Sequence, residues 1–307
     1  MAAIEIRKVT KTFGTHVAVD DLTLDVPEGS IYGFIGPNGS GKTTTLRMIM
    51  NILLPDRGEI RVLGRSSASA ARDDVGYLPE ERGLYRKMKV RRLLHYYGAL
   101  KGRGAADIER EMAFWLARLE LTNWADQRID ALSKGMSQKV QFIATVVARP
   151  KVVILDEPFS GLDPVNADVL RDAVLELRRR GATIVFSTHD MAVAERLCDR
   201  IFMIFRGRKV LDGTLDEIQA RYGHDTVRVR TDRGRAVLAG LPGVEAINDH
   251  GNLQEVRLKG DTQSFLAALA SRAAISHFEV TRPSLHDIFV RIARPDADPG
   301  AVAPVGH

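Results

Sequence analysis

Cysteine is nearly absent, with Cys198 alone among 307 residues. That excludes an internal disulfide and a cysteine-based zinc cluster. Cys198 falls in a helical stretch, where a lone thiol serves packing more often than chemistry. No apolar run approaches the roughly 20 residues that a membrane-crossing helix needs. The opening Met-Ala-Ala-Ile-Glu-Ile-Arg has no apolar core of the kind a secretory signal carries. A cytoplasmic protein is therefore expected. Internal repeats are missing. Extreme charge is missing too: the net charge of +5 permits nucleic acid, anionic membrane or nucleotide partners and selects none. A solvated basic face accounts for it equally well. What is present is an ordinary 45% hydrophobic content, enough to build cores for about two domains.

The first 30 residues alternate polar and apolar positions, with Ile4, Ile6 and Val9 followed by Val17, Val19, Leu22, Leu24 and Val26. A period of two predicts antiparallel strands with one buried face. Further strands are expected at Ile31 to Ile35, Glu59 to Leu63, Val75 to Leu78, Val152 to Leu155, Thr183 to Ser187 and Ile201 to Phe205. Between about residues 89 and 148 the apolar spacing is helical, over Arg91 to Leu100, Ile108 to Leu119 and Gln138 to Ala148. Helices over Val165 to Arg180 and Ala192 to Cys198 then separate the later strands. Strands alternating with helices predict a largely parallel sheet covered on both faces. The character changes near Tyr222, so a first domain over 1–222 and a second over 223–293 are expected. The second reads as strand, helix, strand, strand, helix, strand, the order of a small ferredoxin-like α+β domain. A short helix over Ser284 to Ile292 follows. The last stretch, 294–307, is rich in Pro, Ala and Asp and reads as a disordered tail.

The densest signal is Gly36-Pro37-Asn38-Gly39-Ser40-Gly41-Lys42-Thr43-Thr44. Gly36, Gly41, Lys42 and Thr43 satisfy G-x-x-x-x-G-K-[ST] between an apolar strand and a helical run. Glycines let successive N–H groups turn inward onto phosphate oxygens, and the helix that follows adds its positive end. Lys42 would reach the β- and γ-phosphates, and the Thr43 hydroxyl would bind Mg²⁺. The run Val152-Val153-Ile154-Leu155-Asp156-Glu157 is an apolar strand that ends in two carboxylates. Asp156 suits Mg²⁺ and Glu157 suits a water attacking the γ-phosphate. His189 follows another apolar strand and could touch the γ-phosphate. Phe13, in Lys-Thr-Phe-Gly, could stack on the base, although a Phe is more often core.

In this order the pieces from Ile4 to about Tyr222 resemble the nucleotide-binding subunit of an ABC transporter. The most specific element is Leu132-Ser133-Lys134-Gly135-Met136-Ser137-Gln138. It is similar to the family signature Leu-Ser-Gly-Gly-Gln. Leu132, Ser133 and Gly135 match, while Lys134 stands for the first glycine and Met136 for the glutamine. The resemblance implies a P-loop NTPase α/β core of ABC type, with an antiparallel β subdomain and a helical subdomain over about 89–148. It implies ATP as substrate, with Phe13, Gly36, Asn38, Gly39, Ser40, Gly41, Lys42, Thr43 and Thr44 around it. Ser133 and Gly135 of one chain would meet ATP held by another, and Ser160-Gly161-Leu162-Asp163 matches the family's D-loop. His189 matches its switch histidine. Where the family has a glutamine, Glu80 stands; it could bind Mg²⁺ but adds negative charge, and is either tolerated or tunes the rate. The run Glu81 to Tyr85 and the segment Ser284-Leu285-His286-Asp287-Ile288-Phe289 look like a bacterial exporter subfamily that includes sodium-extrusion ATPases. Arg82 to Met88 would line the groove for a membrane subunit.

The mechanism so implied is head-to-tail closure of two ATPase subunits, self or homologous, on two ATP molecules. The motion would drive a separate integral membrane permease from a peripheral position on the inner face of the cell membrane. A soluble ABC ATPase of nucleic acid or ribosomes is the alternative. DNA-repair relatives carry long coiled coils between phosphate loop and signature, and none is readable here. Translation-factor relatives carry two phosphate loops, and only one is found. No nucleic acid partner is therefore expected. A P-loop GTPase would need an Asn-Lys-x-Asp motif, which is lacking. The second domain holds no phosphate loop or paired carboxylates, and His224, His250, His277 and His286 are scattered. A regulatory or assembly role is expected for it.

Overall fold

The computed structural model describes residues 1–66, 72–81, 83–222 and 226–293. Arg82, His224 and the expected tail over 294–307 lie outside these. The chain divides into two compact units, Met1–Asp212 and the stretch from Gly213 onward.

Two antiparallel strands open the first unit, β1 (Ala2–Phe13) and β2 (His16–Pro27). With β4 (Arg57–Val62) they form a three-stranded sheet in the order β2-β1-β4. Ile4 faces Val26 and Ile6 faces Leu24, so the period-two pattern puts one apolar face inward. The second sheet has six strands. They are β3 (Ile31–Ile35), β5 (Val75–Leu78), β6 (Val152–Asp156), β7 (Thr183–Thr188), β8 (Arg200–Phe205) and β9 (Arg208–Gly213), in the order β5-β6-β7-β3-β8-β9. From β5 to β8 the pairing is parallel. Every residue of β3, β6 and β7 is buried, as a sheet covered on both faces requires.

Alternate strand residues feed two different cores. Val152, Ile154, Val185, Tyr32 and Phe34 pack with Ile4, Ile6 and Leu24 of the antiparallel sheet and with Leu46 of helix α1 (Lys42–Ile49). Val153, Leu155, Ile184 and Phe186 pack with the helical side. That side comprises α2 (Val90–Leu100), α3 (Ala105–Arg118), α4 (Lys134–Val146), α5 (Pro164–Arg179) and α6 (Met191–Leu197). Trp115, wholly buried, is the largest side chain in it. Helix α4 begins four residues ahead of the start read from the apolar spacing, at Lys134 rather than Gln138. The Ser133 hydroxyl accepts from the Met136 N–H at 3.2 Å and caps it, while the polar turn Lys134 to Ser137 hides the start from the pattern. Cys198 closes α6 and packs half-buried against Gly33, and desolvation pushes its thiol well above its ordinary range. Packing, not chemistry, is its role.

The second unit starts nine residues before Tyr222, the last residue of the first domain as read from sequence. The difference is a short helix that apolar spacing did not reveal, α7 (Leu215–Arg221), held by a capping box of Thr214 and Glu217. After it come β10 (Thr226–Thr231), α8 (Arg235–Leu238), β11 (Val244–Asp249), β12 (Gln254–Leu258), α9 (Thr262–Ala270), β13 (Ile275–Thr281) and α10 (Leu285–Ala293). The four strands form one antiparallel sheet in the order β11-β12-β10-β13. Its own core holds Val227, Val229, Val256, Leu258, Phe265 and Leu269. This is the α+β arrangement expected from the sequence.

Candidate functional site

The parallel sheet lines up the carboxyl ends of β6, β7 and β3 side by side. Ligands of open α/β sheets bind beyond such ends. The phosphate loop leaves β3, Asp156 ends β6, and His189 follows β7. Residues remote in sequence thus meet in one cleft of about 490 Å³. Of the expected residues, Phe13, Asn38, Gly39, Gly41, Lys42, Thr43, Thr44, Glu80, Glu157 and His189 line it.

The loop has the shape its glycines allow. Gly36 and Gly41 have φ of +152° and +110°. A β-carbon on Gly36 would lie 2.3 Å from the Ile204 carbonyl oxygen, and one on Gly41 would lie 2.5 Å from that of Ala18. Both obstacles are backbone and cannot give way, so only glycine fits. Lys42 ends the loop and starts α1. Its ammonium donates to the carbonyls of Gly36 at 2.7 Å and Pro37 at 3.2 Å, and lies 4.0 Å from a Glu157 oxygen. Burial pulls the Lys42 pKa below its ordinary value, against the opposing pull of Glu157, Asp156 and Glu80. The buried Ser40 hydroxyl has no partner. A loop with an orphaned hydroxyl and a buried ammonium suits a polyanion.

Asp156 does not line this cleft itself but lies behind Thr43, 1% exposed. Its Oδ1 accepts from the Ser187 hydroxyl at 2.5 Å and from the Thr43 hydroxyl at 3.4 Å. Its Oδ2 is buried and unpartnered. An orphaned carboxylate oxygen beside a hydroxyl fits a hard cation. Among the described residues no group of three or more His, Cys, Asp or Glu converges on a metal position. One carboxylate and one hydroxyl suit an ion that draws its other ligands from phosphate and water, as Mg²⁺ does. The Tyr77 hydroxyl on β5 is pushed above its usual range by partial burial and the nearby Asp156 charge.

Glu157 points a different way from Asp156. Its φ of +49° is in the left-handed region, unusual for a residue with a β-carbon. Its N–H donates to the Ser187 hydroxyl at 3.0 Å, which fixes the turn. Its Oε1 lies 3.0 Å from His189 Nδ1. A carboxylate held by a histidine beside a phosphate loop can polarise a water. Glu80 is exposed, at the bend after β5. Phe13, 48% exposed at the end of β1, presents its ring with the Lys11 ammonium 5.6 Å from the centroid. His16 and Ala18 beside it complete that wall.

Ser133, Gly135 and Asp163 lie outside this cleft. Ser133 caps α4; Asp163 caps α5, accepting from the Asn166 N–H at 3.0 Å, and those bonds hold its carboxyl below the usual range. Gly135 packs against Asn166, close enough that a β-carbon at this position would lie 3.1 Å from Asn166 Nδ2. Two contributors escaped the sequence reading. Ser187 bonds both Asp156 and Glu157, and its signal was a hydroxyl in an otherwise apolar buried strand. His16 joins the cleft through a turn that no motif marks.

Comparison with known proteins gives the context. The family described as ABC transporter matches residues 19–160. A second, described as ATP-binding protein DrrA1-3-like, C-terminal domain, matches residues 213–293. The chain is 41% identical to the uncharacterized ABC transporter ATP-binding protein YhaQ of Bacillus subtilis, over 94% of this chain and 97% of that one. It is 35% identical to the Nod factor export ATP-binding protein I of Paraburkholderia xenovorans, over 95% and 97% respectively. A solved ATP binding subunit of an ABC transporter superposes with a TM-score of 0.68 at 32% identity, covering 72% of this chain and 93% of the other.

Proposed function

The chain belongs to the ABC transporter ATP-binding subunits and is an ATPase, and we propose that it powers export through a separate membrane permease. The observation that carries this reading is the position of Ser133. Ser133 and Gly135 do not line their own chain's cleft, which supports the reading that a second subunit brings its Ser133 and Gly135 to the bound ATP. The second subunit is a copy of this chain or a homologue.

In this reading each residue has a role that the geometry supports. Phe13 offers its exposed ring to the base. The loop from Gly36 to Thr44 wraps the phosphates, and Lys42 exchanges its carbonyl partners for β- and γ-phosphate oxygens. Thr43 and Asp156, with Glu80 within reach, would hold Mg²⁺, which supplies charge neutralisation on the phosphates. Glu157 draws a proton from the attacking water, while His189 keeps the carboxylate aimed. Asp163 lies at the subunit boundary, on the turn beside the partner's nucleotide. Loss of the γ-phosphate removes the anion that joins the two subunits, and they part.

Export is favoured by the Nod factor export relative, similar over nearly the whole chain. Among the described residues no helix is long and apolar enough to cross a membrane, and this reading gives that task to a separate permease. The same reading places the chain in the cytoplasm, peripheral on the inner face of the cell membrane. The permease contact proposed here includes Leu84, Tyr85 and Met88; Tyr85 is 54% exposed and stacks edgewise on Tyr96. Arg82, expected in the same groove, lies outside the described residues.

The test uses Glu157→Gln, which keeps size and hydrogen-bond reach but removes the base. With ATP this variant is expected to run as a dimer in size measurements, and adding Ser133→Arg should return it to monomers. A Glu157→Gln chain that stays monomeric with saturating ATP at high concentration counts against pairing between identical copies. The same result in the presence of a homologous subunit counts against the sandwich itself.

A further inference from the structure

We propose that a cleft at the amino ends of β6 and β7, remote from the nucleotide cleft, binds a phosphate group through Arg149, Lys151 and Arg180. Its volume of about 210 Å³ is small beside the pockets that hold drug-sized ligands and suits a single oxyanion. Lys151 stands immediately before β6, and Ala182, which also lines the cleft, immediately before β7. The nucleotide cleft gathers at the other ends of the same strands, so the length of β6, about 17 Å, separates the two sites. No residue lines both clefts.

Three cations line this cleft against one carboxylate, Glu111. Glu111 is 4% exposed, and both its oxygens accept from one Arg180 nitrogen, at 2.7 and 2.8 Å. The Arg180 guanidinium also lies over the Phe114 and Trp115 rings, 4.6 and 5.5 Å from their centroids, which holds it in place. Arg149 stands 3.6 Å from a Glu111 oxygen, and Lys151 stands 3.8 Å from Asp74. Neither distance is a hydrogen bond, and neither side chain donates one among the described residues. Two sets of unspent charged donors thus converge beside a carboxylate that Arg180 already satisfies. The four groups carry a formal +2, which a phosphate dianion would cancel.

A neighbouring cleft shares Glu111, Arg149 and Lys151 but adds Asp74, Asp107 and Arg103, so its charges balance. The positive excess therefore belongs to the side bounded by Arg180. Arg149 has φ of +52°, at the turn where the chain leaves α4. Glycine suits such a turn better, and the strain is tolerated at a position whose side chain lines the cleft. Cations at the carboxyl ends of α4 and α5 also offset the negative helix ends, which accounts for Arg149 and Arg180 but not for Lys151. Trp115, wholly buried, lines the same cleft, and its indole N–H has no partner. An anion seated here changes the field at that indole, so its fluorescence reports on this cleft.

The experiment titrates inorganic phosphate into the full chain carrying Trp124→Phe, which leaves Trp115 as its one tryptophan. Chloride holds the ionic strength constant. Trp115 does not line the nucleotide cleft, so phosphate bound in the phosphate loop is not read. Trp115 fluorescence is expected to change saturably, with half-saturation at about 1 mM phosphate. Arg149→Gly relieves the left-handed turn, so it should weaken binding about tenfold without lowering the unfolding midpoint. Lys151→Gln alone should also weaken binding about tenfold, and the two together about a hundredfold. Arg57→Gln, the same loss of charge on β4, should leave the curve unchanged. Vesicles of phosphatidylcholine with and without phosphatidic acid separate the sources of the group. A response to inorganic phosphate assigns the free ion, and a response to phosphatidic acid vesicles alone assigns a lipid headgroup. No saturable change with either probe, up to about 50 mM phosphate, overturns the site and leaves the cations to the helix ends. A response that survives Arg149→Gly combined with Lys151→Gln overturns it as well.

Discussion

Gly41 shows how tightly single residues are specified. Its φ of +110° and the Ala18 carbonyl 2.5 Å from the site of a β-carbon leave no conformation for a larger residue. Gly41→Ala is expected to cost about 2–3 kcal/mol in denaturant unfolding and to abolish measurable ATP binding. Gly39→Ala is the control. Its φ of +76° is strained for alanine, but the surrounding space is open, so the cost should be about 1 kcal/mol. Equal losses for the two would mean that the loop is held by other contacts than these. The phosphate loop was legible in the sequence for this same reason. Phosphate binding by backbone N–H groups forces glycine at fixed spacings, and a spacing survives as a motif. Ser187 and His16 were not legible, because a single hydroxyl or imidazole that reaches a site through the fold leaves no spacing behind. Glu157 was read from its place after Asp156, but its left-handed backbone and its bond to His189 come from contacts across two strands.

At the scale of elements, the parallel sheet does the positioning. Strand order β6-β7-β3 sets carboxylates, histidine and phosphate loop next to one another, and that order is a property of pairing that no local pattern encodes. The strands themselves were legible as apolar runs of four to six residues. Helix ends were less so. The start of α4 depends on a cap by Ser133, and α7 is too short to show a period. The helical layer is held to the sheet around Trp115, packed edgewise on Phe142 at 5.8 Å and on Phe114 at 5.0 Å. Trp115→Ala should therefore lower unfolding free energy by about 3–5 kcal/mol through lost burial and a cavity. ATP affinity of the folded fraction should stay within about threefold, since Trp115 is absent from the cleft wall. A small stability change would show that the layer is held elsewhere.

At the scale of the whole molecule, two units carry separate cores, and every residue of the proposed site lies in the first of them. The first unit's cores contain no residue beyond Leu197 on the helical side or Ile204 on the other, and the second unit's core runs from Val227 to Leu269. A chain ending at Gly213 is expected to fold and to bind ATP within about threefold of the parent, as judged by nucleotide titration. A large loss of affinity in a folded truncation would show that the second unit shapes the site. Its proposed role is in assembly or regulation. The central claim is that the cleft between the phosphate loop and Glu157 hydrolyses ATP. Steady-state phosphate release by the purified full chain, with Mg²⁺ and ATP, tests it most directly against Lys42→Ala. The account expects turnover by the parent chain and none above background for the variant, because the buried ammonium that neutralises the phosphates is gone. A folded Lys42→Ala chain that hydrolyses ATP as fast as the parent would contradict it.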